Sequence, residues 1–383
     1  MKSKITKVYF TLLLLIFSLN SALAQGASTG SNIFLYSIIG LIAILALFGL
    51  IQVADSLLRI EADRVGASGS GANYSVFPRL DEIFKPKLPD YTDGKEVHRL
   101  SRGHDIKLEG DADGDAMAAG VTTYAVQPPN FIGLSPIPKL DVGIGDTVKA
   151  GDVLFYDKKD TSIKFVAPVS GEVIAVNRGA KRSIAEVVIS ADKEQQYRSY
   201  EVPDLAKASR EELVSFLLES GLWPMFRQRP FNVLADYKET PRDIFISTFD
   251  SAPLAPDLGK VVAGRADAFQ KGLDVLNKLT EGSVYLGLDA RGDNEPSPVF
   301  TQASGVQKHY FSGPHPSGNV GVQIHHIDPI NSTDKIWTLG VQEVISLGAM
   351  FLDGKYNAER VIAVAGAELK EPKYVHPMSR SCR

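Results

Sequence analysis

Between Lys7 and Asp55 the chain carries no charged side chain, and this constrains its architecture more tightly than any other feature. Within that stretch, Ile33 to Gln52 (IFLYSIIGLIAILALFGLIQ) is a run of about 20 residues that rises roughly 30 Å as a helix, the thickness of a bilayer's hydrocarbon core. Residues 33–53 are therefore expected to form a transmembrane helix. Ahead of it, Lys2, Lys4 and Lys7 precede an apolar run from Val8 that closes at Ala22-Leu23-Ala24, so residues 1–24 read as a signal-like segment. Arg59 and Arg64 follow the second run, whereas Gln25 to Asn32 carry no positive charge; this asymmetry places the body of the protein on the cytoplasmic side of the inner membrane.

Asp55 to Arg64 (DSLLRIEADR) reads as a short amphipathic continuation, and Gly66 to Gly71 (GASGSG) has the composition of a flexible linker. Pro78, Pro86 and Pro89 punctuate the next stretch, and residues 54–97 are expected to connect membrane part and body. The 41 basic and 45 acidic residues leave a net charge of -4, so there is no global field to hold nucleic acid. The single cysteine, Cys382, excludes an internal disulfide framework, a CxxC pair and a cysteine-held iron–sulfur or zinc centre.

Residues 98–200 are expected to hold a small all-β module. From Pro138 onward, short apolar runs alternate with Gly-Asp turns, and Lys164 to Val166 and Glu172 to Val176 show the period of two expected of strands. Gly145-Asp146 and Gly151-Asp152 supply tight turns, the glycine for its tolerance of positive φ and the aspartate for its bond back to nearby backbone. Upstream, Asp111, Asp113 and Asp115 suggest a calcium loop, but an EF-hand needs Gly at its sixth position and a carboxylate at its twelfth, where Ala116 and Thr122 stand. A solvated acidic turn is the expectation there. Gly145-Asp146-Thr-Val148, Gly151-Asp152-Val-Leu154 and Ala167-Pro168-Val-Ser-Gly171 resemble the barrel-sandwich hybrid of lipoyl and biotinyl domains. That resemblance puts the modified lysine eight residues before Pro168, where Asp160 stands; Lys158 and Lys159 are out of register, so no lipoyl or biotinyl group is expected and the module reads as a docking element.

The remainder, 205–375, alternates strand and helix. Ser209-Arg-Glu-Glu212 is a capping box opening a helix to about Ser220, with Gly221 and Pro224 ending it. Ile244 to Thr248, Val284 to Leu288, Gln307 to Phe311, Lys335 to Leu339 and Arg360 to Ala365 read as strands, with Ala266 to Leu279 and Gln342 to Phe351 as helices. Such alternation points to a mostly parallel, doubly wound α/β sheet. Neither a G-x-G-x-x-G opening a helix nor a G-x-x-x-x-G-K-[ST] occurs, so a flavin or nucleotide phosphate has no evident cradle. The loop after the strand at Gln307 stands out instead. Gly313, Pro314, His315, Pro316, Gly318, Gly321 and His325 shape a backbone that can approach a partner closely. His315, His325 and His326 lack the cysteines or carboxylates that zinc would need at ligand spacing, so no metal is expected. Their imidazoles suit proton donation to a quinone, or alternatively fix the loop by hydrogen bonds.

Glu219-Ser-Gly221-Leu-Trp223-Pro224, Arg229-Pro230-Phe231, Lys164 to Gly171, Asn177-Arg-Gly179-Ala-Lys181-Arg182 and the GPHPSG loop together resemble the A-subunit family of sodium-translocating NADH:quinone reductases, over about Arg99 to Lys373. The resemblance implies a peripheral cytoplasmic subunit with a barrel-sandwich module and a Rossmann-like domain, belonging to a translocase that passes electrons from NADH to ubiquinone while pumping sodium outward. It implies that NADH, FAD, FMN, Fe-S and ubiquinone serve the whole complex, that this chain holds no covalent cofactor, and that its partners are subunits B to F, the inner membrane and ubiquinone. Two departures stand out: the first sixty residues add a membrane tether, and the chain stops where family members continue. Residues 376–383 lack family character, as expected of a truncated or frameshifted end. An efflux-pump adaptor also joins a membrane helix to a lipoyl-like module, but it splits the module with a long helical hairpin, whereas only a short turn separates Leu154 from Ala167. An electron-transport protein of the related Rnf type would need cysteine clusters that are missing here.

Overall fold

The computed structural model describes residues 30–64, 88–134 and 137–378, so the signal-like segment, the GASGSG linker and Cys382 lie outside the described residues. The chain divides into two compact units, Met1–Lys87 and Leu88–Arg383. In the first, Gly30–Arg64 is one continuous helix, so the segment from Asp55 to Arg64 continues the apolar helix as its sequence suggested. Leu35–Leu58 is long and apolar enough to cross a membrane, with mean hydropathy 2.5. Leu35, Ile39, Ile42, Leu45 and Phe48 are all exposed, so it is apolar without being a core helix.

The larger unit is organised by a seven-stranded mixed sheet. Its order is Val97–Arg99, Gln307–Ser312, Val284–Asp289, Asp243–Ser247, Ile336–Thr338, Arg227–Arg229, Val233–Leu234. The first five strands run parallel, Arg227–Arg229 pairs antiparallel with Ile336–Thr338, and Val233–Leu234 pairs antiparallel with Arg227–Arg229. Alternation decides which side chains go where: Ile244 and Ile246 enter the main core with Leu286, Leu288 and Trp337, while Phe245 packs on the opposite face with Ile324 and Ile336. Helices Arg210–Glu219, Ala266–Asn277 and Val341–Asp353 cover the first face, and Val320–Ile327 covers the second. Ser209 caps its helix as the capping box requires, its Oγ accepting from Glu212 N and the Glu212 carboxylate accepting from Ser209 N. Where Ala266–Asn277 crosses Val341–Asp353, Gly272 and Gly348 permit backbone-to-backbone contact; a Cβ at 348 would lie 1.7 Å from Ala268 O.

Thr123 to Ala191 form the barrel-sandwich. A four-stranded antiparallel sheet (Thr123–Val126, Ile184–Ala191, Gly171–Arg178, Thr147–Val148) faces a three-stranded one (Lys139–Leu140, Val153–Tyr156, Lys164–Val166) across Leu154, Phe155, Phe165, Val173, Val187 and Ile189. The turn aspartates bond to local backbone, Asp146 Oδ2 accepting from Gly143 N and Asp152 Oδ2 from Lys149 N, both at 2.7 Å. At the hairpin tip Asp160 accepts a 2.9 Å bond from the Tyr237 hydroxyl of the α/β region, so the position matching a carrier domain's lysine is tied down.

The structure departs from the sequence expectations in several places. Arg360 to Ala365 does not extend the large sheet: Ile362–Val364 pairs antiparallel with Lys373–Met378, which pairs parallel with Asp113–Gly120. Ile362 and Val364 are exposed, whereas a central strand of a covered sheet buries both faces. The acidic turn becomes the start of that third strand, with Asp113 Oδ1 accepting from Lys260 Nζ at 2.6 Å. Residues 376–378, expected as the start of a tail, belong to the same small sheet. Val97–Arg99, expected as the end of the connector and the start of the β module, instead forms the edge strand of the large sheet. Each of these segments is short or poor in β-branched residues; Val97–Arg99 and Asp113–Gly120 gain their ladder partners from more than 200 residues away, whereas Ile362–Val364 pairs with the strand that follows it.

Candidate functional site

The parallel strands appear along the sheet in the order first, fourth, third, second, fifth, counted along the chain. Connections therefore change direction between Asp243–Ser247 and Ile336–Thr338, and in open α/β sheets ligands bind beyond the carboxyl ends of strands at such a switch point. A cavity of about 620 Å³ lies there, floored by Ser247, Thr338 and Gly340. Phe131 and Phe165 of the barrel-sandwich, with Met225 and Phe249, form its apolar wall. Close packing holds the barrel against it: a Cβ on Gly221 would come within 2.5 Å of Val166 Cγ1.

Polar character comes from Arg227, Arg229, Glu343, Arg360 and His315. Glu343 is ion-paired with Arg360 at 3.3 Å, and of the two strand arginines lining the cavity Arg227 donates through Nη1 to Ile132 O at 3.4 Å. Arg229 Nε is buried with no hydrogen-bond partner among the described residues. Burial lowers the pKa of both Arg227 and Arg229; Glu343 partly offsets this at Arg227, but no carboxylate does so at Arg229. The N-termini of Val320–Ile327 and Val341–Asp353 both open onto the cavity through Asn319, Val320 and Gly340. Guanidinium groups and helix N-termini are all positive, so the arrangement favours an oxygen carrying negative charge.

The GPHPSG loop forms one edge of this cavity; loop-fixing hydrogen bonds were one expectation for its histidines, and the partners that make them were not apparent from sequence. Ser251, 7 % exposed, has its Oγ 2.9 Å from His315 Nδ1 while accepting from Gly318 N at 2.8 Å. Gln323, 1 % exposed, donates to Ser247 Oγ at 2.9 Å and to Ser317 O at 3.1 Å. Gly313 has φ 124 and a Cβ there would lie 2.2 Å from Leu100 O, so this corner of the loop requires glycine. His315 and Gly318 line the cavity. Pro314, Pro316 and Gly313 shape the loop outside the lining, Gly321 lies in the first turn of the following helix, and His325 is exposed in its last turn. The arginines were missed as cavity-lining residues, although Arg229 stood in a motif carrying the resemblance; the available signal was two guanidiniums on the three-residue strand Arg227–Arg229, without a neighbouring acid.

Residues 98–192 match the model of the NqrA N-terminal barrel-sandwich hybrid domain, and 208–356 that of the NqrA second alpha/beta domain. The chain is 38% identical over 283 residues to the A subunit of the Na(+)-translocating NADH-quinone reductase of Marinomonas sp. (strain MWYL1), covering 73% of this chain and 62% of the relative. The chain belongs to the NqrA family, the A subunits of Na(+)-translocating NADH-quinone reductases. Pseudomonas aeruginosa has a relative of the same description, 39% identical over 280 residues, and Alcanivorax borkumensis one at 37% over 280 residues, each covering 72% of this chain and 61% of the relative. The chain thus spans about three fifths of the length of these curated relatives. The two family domains are the ones that wall the cavity, the barrel-sandwich through Phe131 and Phe165 and the α/β domain through Arg227, Arg229 and the two helix N-termini.

Proposed function

We propose that this chain is the A subunit of a sodium-translocating NADH:ubiquinone reductase complex, working at its quinone-reducing end and lacking turnover alone. The presence of both family domains in order, meeting at one cavity, carries this reading. In it, the Phe131, Phe165, Met225 and Phe249 wall takes the apolar ring and tail of ubiquinone, while Arg227 and Arg229 donate to an oxygen that gains electron density as electrons arrive. His315, held at 2.9 Å from the Ser251 hydroxyl, is placed to hold a proton beside that oxygen. Reduction to the quinol needs two electrons and two protons. The two electrons would come from NADH through flavin and iron–sulfur groups held by subunits B to F, and the two protons from solvent, one of them by way of His315.

The apolar helix Leu35–Leu58 supports a tether in the inner membrane, and Arg59 and Arg64 beyond it support a cytoplasmic body. Affinity purification of the chain from membranes of its host tests the assignment. Recovery of subunits B to F with NADH-dependent quinone reduction is the expected result; recovery of the chain alone, or NADH turnover by the isolated chain, overturns it.

A further inference from the structure

A second cluster lies at the opposite edge of the large sheet, built from residues 211 apart in sequence. The edge strand Val97–Arg99 pairs in parallel with Gln307–Ser312, setting Val97 beside Tyr310 and His98 beside Phe311. Side chains two apart on a strand share a face, so Glu96 and His98 emerge on the side of His309 and Phe311. Their polar atoms converge: His98 Nε2 is 3.1 Å from His309 Nδ1, Glu96 Oε2 is 3.5 Å from His309 Nδ1, and Glu96 Oε1 is 3.9 Å from His98 Nε2.

Those separations are close to what a single ion requires. Zinc–nitrogen and zinc–oxygen bonds of roughly 2.0–2.2 Å in a tetrahedron hold donor atoms about 3.3–3.5 Å apart. The three observed separations bracket that spacing, so small side-chain rotations, without backbone movement, bring the donors onto one centre. Ordinary packing already orients the rings: His98 stacks on Phe311 with centroids 4.8 Å apart and planes 20° apart, and His309 is 8 % exposed beside Tyr285. Burial is the main reason that both imidazoles are held below their usual pKa, with His309 adding to the effect on His98; neutral rings keep the lone pairs that a cation needs. His326 is the neighbour on the open side, its ring centroid 6.4 Å from that of His98. Its Nδ1 donates to Val322 O of its own helix at 2.8 Å, leaving Nε2 as a free acceptor, the tautomer commonly found in metal-binding histidines.

We propose that Glu96, His98 and His309 form a three-ligand site for a zinc-class divalent cation, with its fourth position open beside His326. Two neutral imidazoles and one carboxylate favour zinc, cobalt, nickel or copper over calcium or magnesium, which prefer oxygen ligands. The ion would fasten an edge strand of three residues to its neighbour, a strand otherwise held by a short ladder.

The test uses the full-length chain in mild detergent, prepared without a histidine tag and stripped with a chelator. Titration with Co²⁺ should give one equivalent of binding with the visible absorption of a four-coordinate ion, displaced by Zn²⁺. Glu96→Gln, at an exposed carboxylate, and His98→Gln should each weaken binding by at least about tenfold, the lower bound typical even for outer-shell changes at metal sites. Far-UV circular dichroism of the stripped variants should match that of the stripped wild type. Absence of a one-equivalent site, or binding that persists unchanged in both variants and is lost with His325→Gln or His104→Gln instead, overturns the proposal.

Discussion

Gly348→Ala is expected to destabilise the α/β region substantially, although helix propensity alone predicts the opposite. In an exposed helix interior, alanine is about 1 kcal/mol better than glycine. Here the added methyl would lie 1.7 Å from Ala268 O and 2.7 Å from Gly272 N, both backbone atoms of the partner helix. A comfortable contact is roughly 3.5 Å, so the helices must part by about 1.5 Å or more, which loosens the packing of Phe269, Leu273, Val344 and Leu347. Overpacking of this kind typically costs about 1–3 kcal/mol and sometimes more, and loss of neighbouring contacts adds to it. Taking the upper end of that range, about 3 kcal/mol, and subtracting the propensity gain of about 1 kcal/mol leaves an expected net loss of about 2 kcal/mol. Urea unfolding reports it directly, because the two tryptophans of the chain, Trp223 and Trp337, are both buried in this core and serve as fluorescence probes. At roughly 1–3 kcal/mol per molar urea, the midpoint should fall by about 1–2 M. Gly49→Ala, where nothing lies within 4 Å of the added methyl, serves as the control and should leave the midpoint in place. A Gly348→Ala midpoint equal to or above that of wild type would refute the close crossing.

Three other outcomes are expected. Arg229→Gln removes a buried guanidinium without a carboxylate partner, so the urea midpoint should hold or rise while quinone reductase activity of the assembled complex falls; a marked loss of stability would mean that the charge already has a partner in the protein. Ser209→Ala should cost about 1 kcal/mol by the same urea assay and Ser209→Asn little, since asparagine also caps; equal losses would contradict the capping role. In metal-stripped protein, stability should decline as pH drops below 6.5, the ordinary histidine value. His98 and His309 have lowered pKa values in the folded state, so over that window the unfolded chain binds more protons and is favoured. His309→Gln should flatten the slope between pH 6.5 and 5, and an unchanged slope would assign it to other groups.

Much of the architecture is legible in local patterns, because the forces that set it are local. A charge-free run about as long as a bilayer is thick can only be a helix crossing lipid or a buried one. Ser209 and Glu212 are three residues apart, the spacing at which each reaches the other's backbone. Gly145-Asp146 and Gly151-Asp152 specify turns through φ 93 and φ 96 at the glycines and through aspartate-to-backbone bonds spanning three residues. The barrel-sandwich strand Gly171–Arg178 was readable for the same reason, its period of two burying Val173 while Glu172 and Ile174 stay exposed, and the strands of the large sheet showed as short apolar runs between helical patterns.

That period does not say which strand lies beside which. Placing Ile336–Thr338 next to Asp243–Ser247 instead of Gln307–Ser312 creates the switch point, and with it a cavity where Arg229 meets two helix N-termini. The same order puts Val97–Arg99 beside Gln307–Ser312, so that Glu96 and His98 meet His309, a grouping that the spacing of histidines along the chain had concealed. Asp113–Gly120 likewise becomes a strand only because Lys373–Met378 arrives to supply its ladder. Hydrophobic pattern, capping and turn chemistry act over a few residues and are written in the sequence. Strand order and register come from how whole faces pack after the chain has crossed over, and only the tertiary structure decides them.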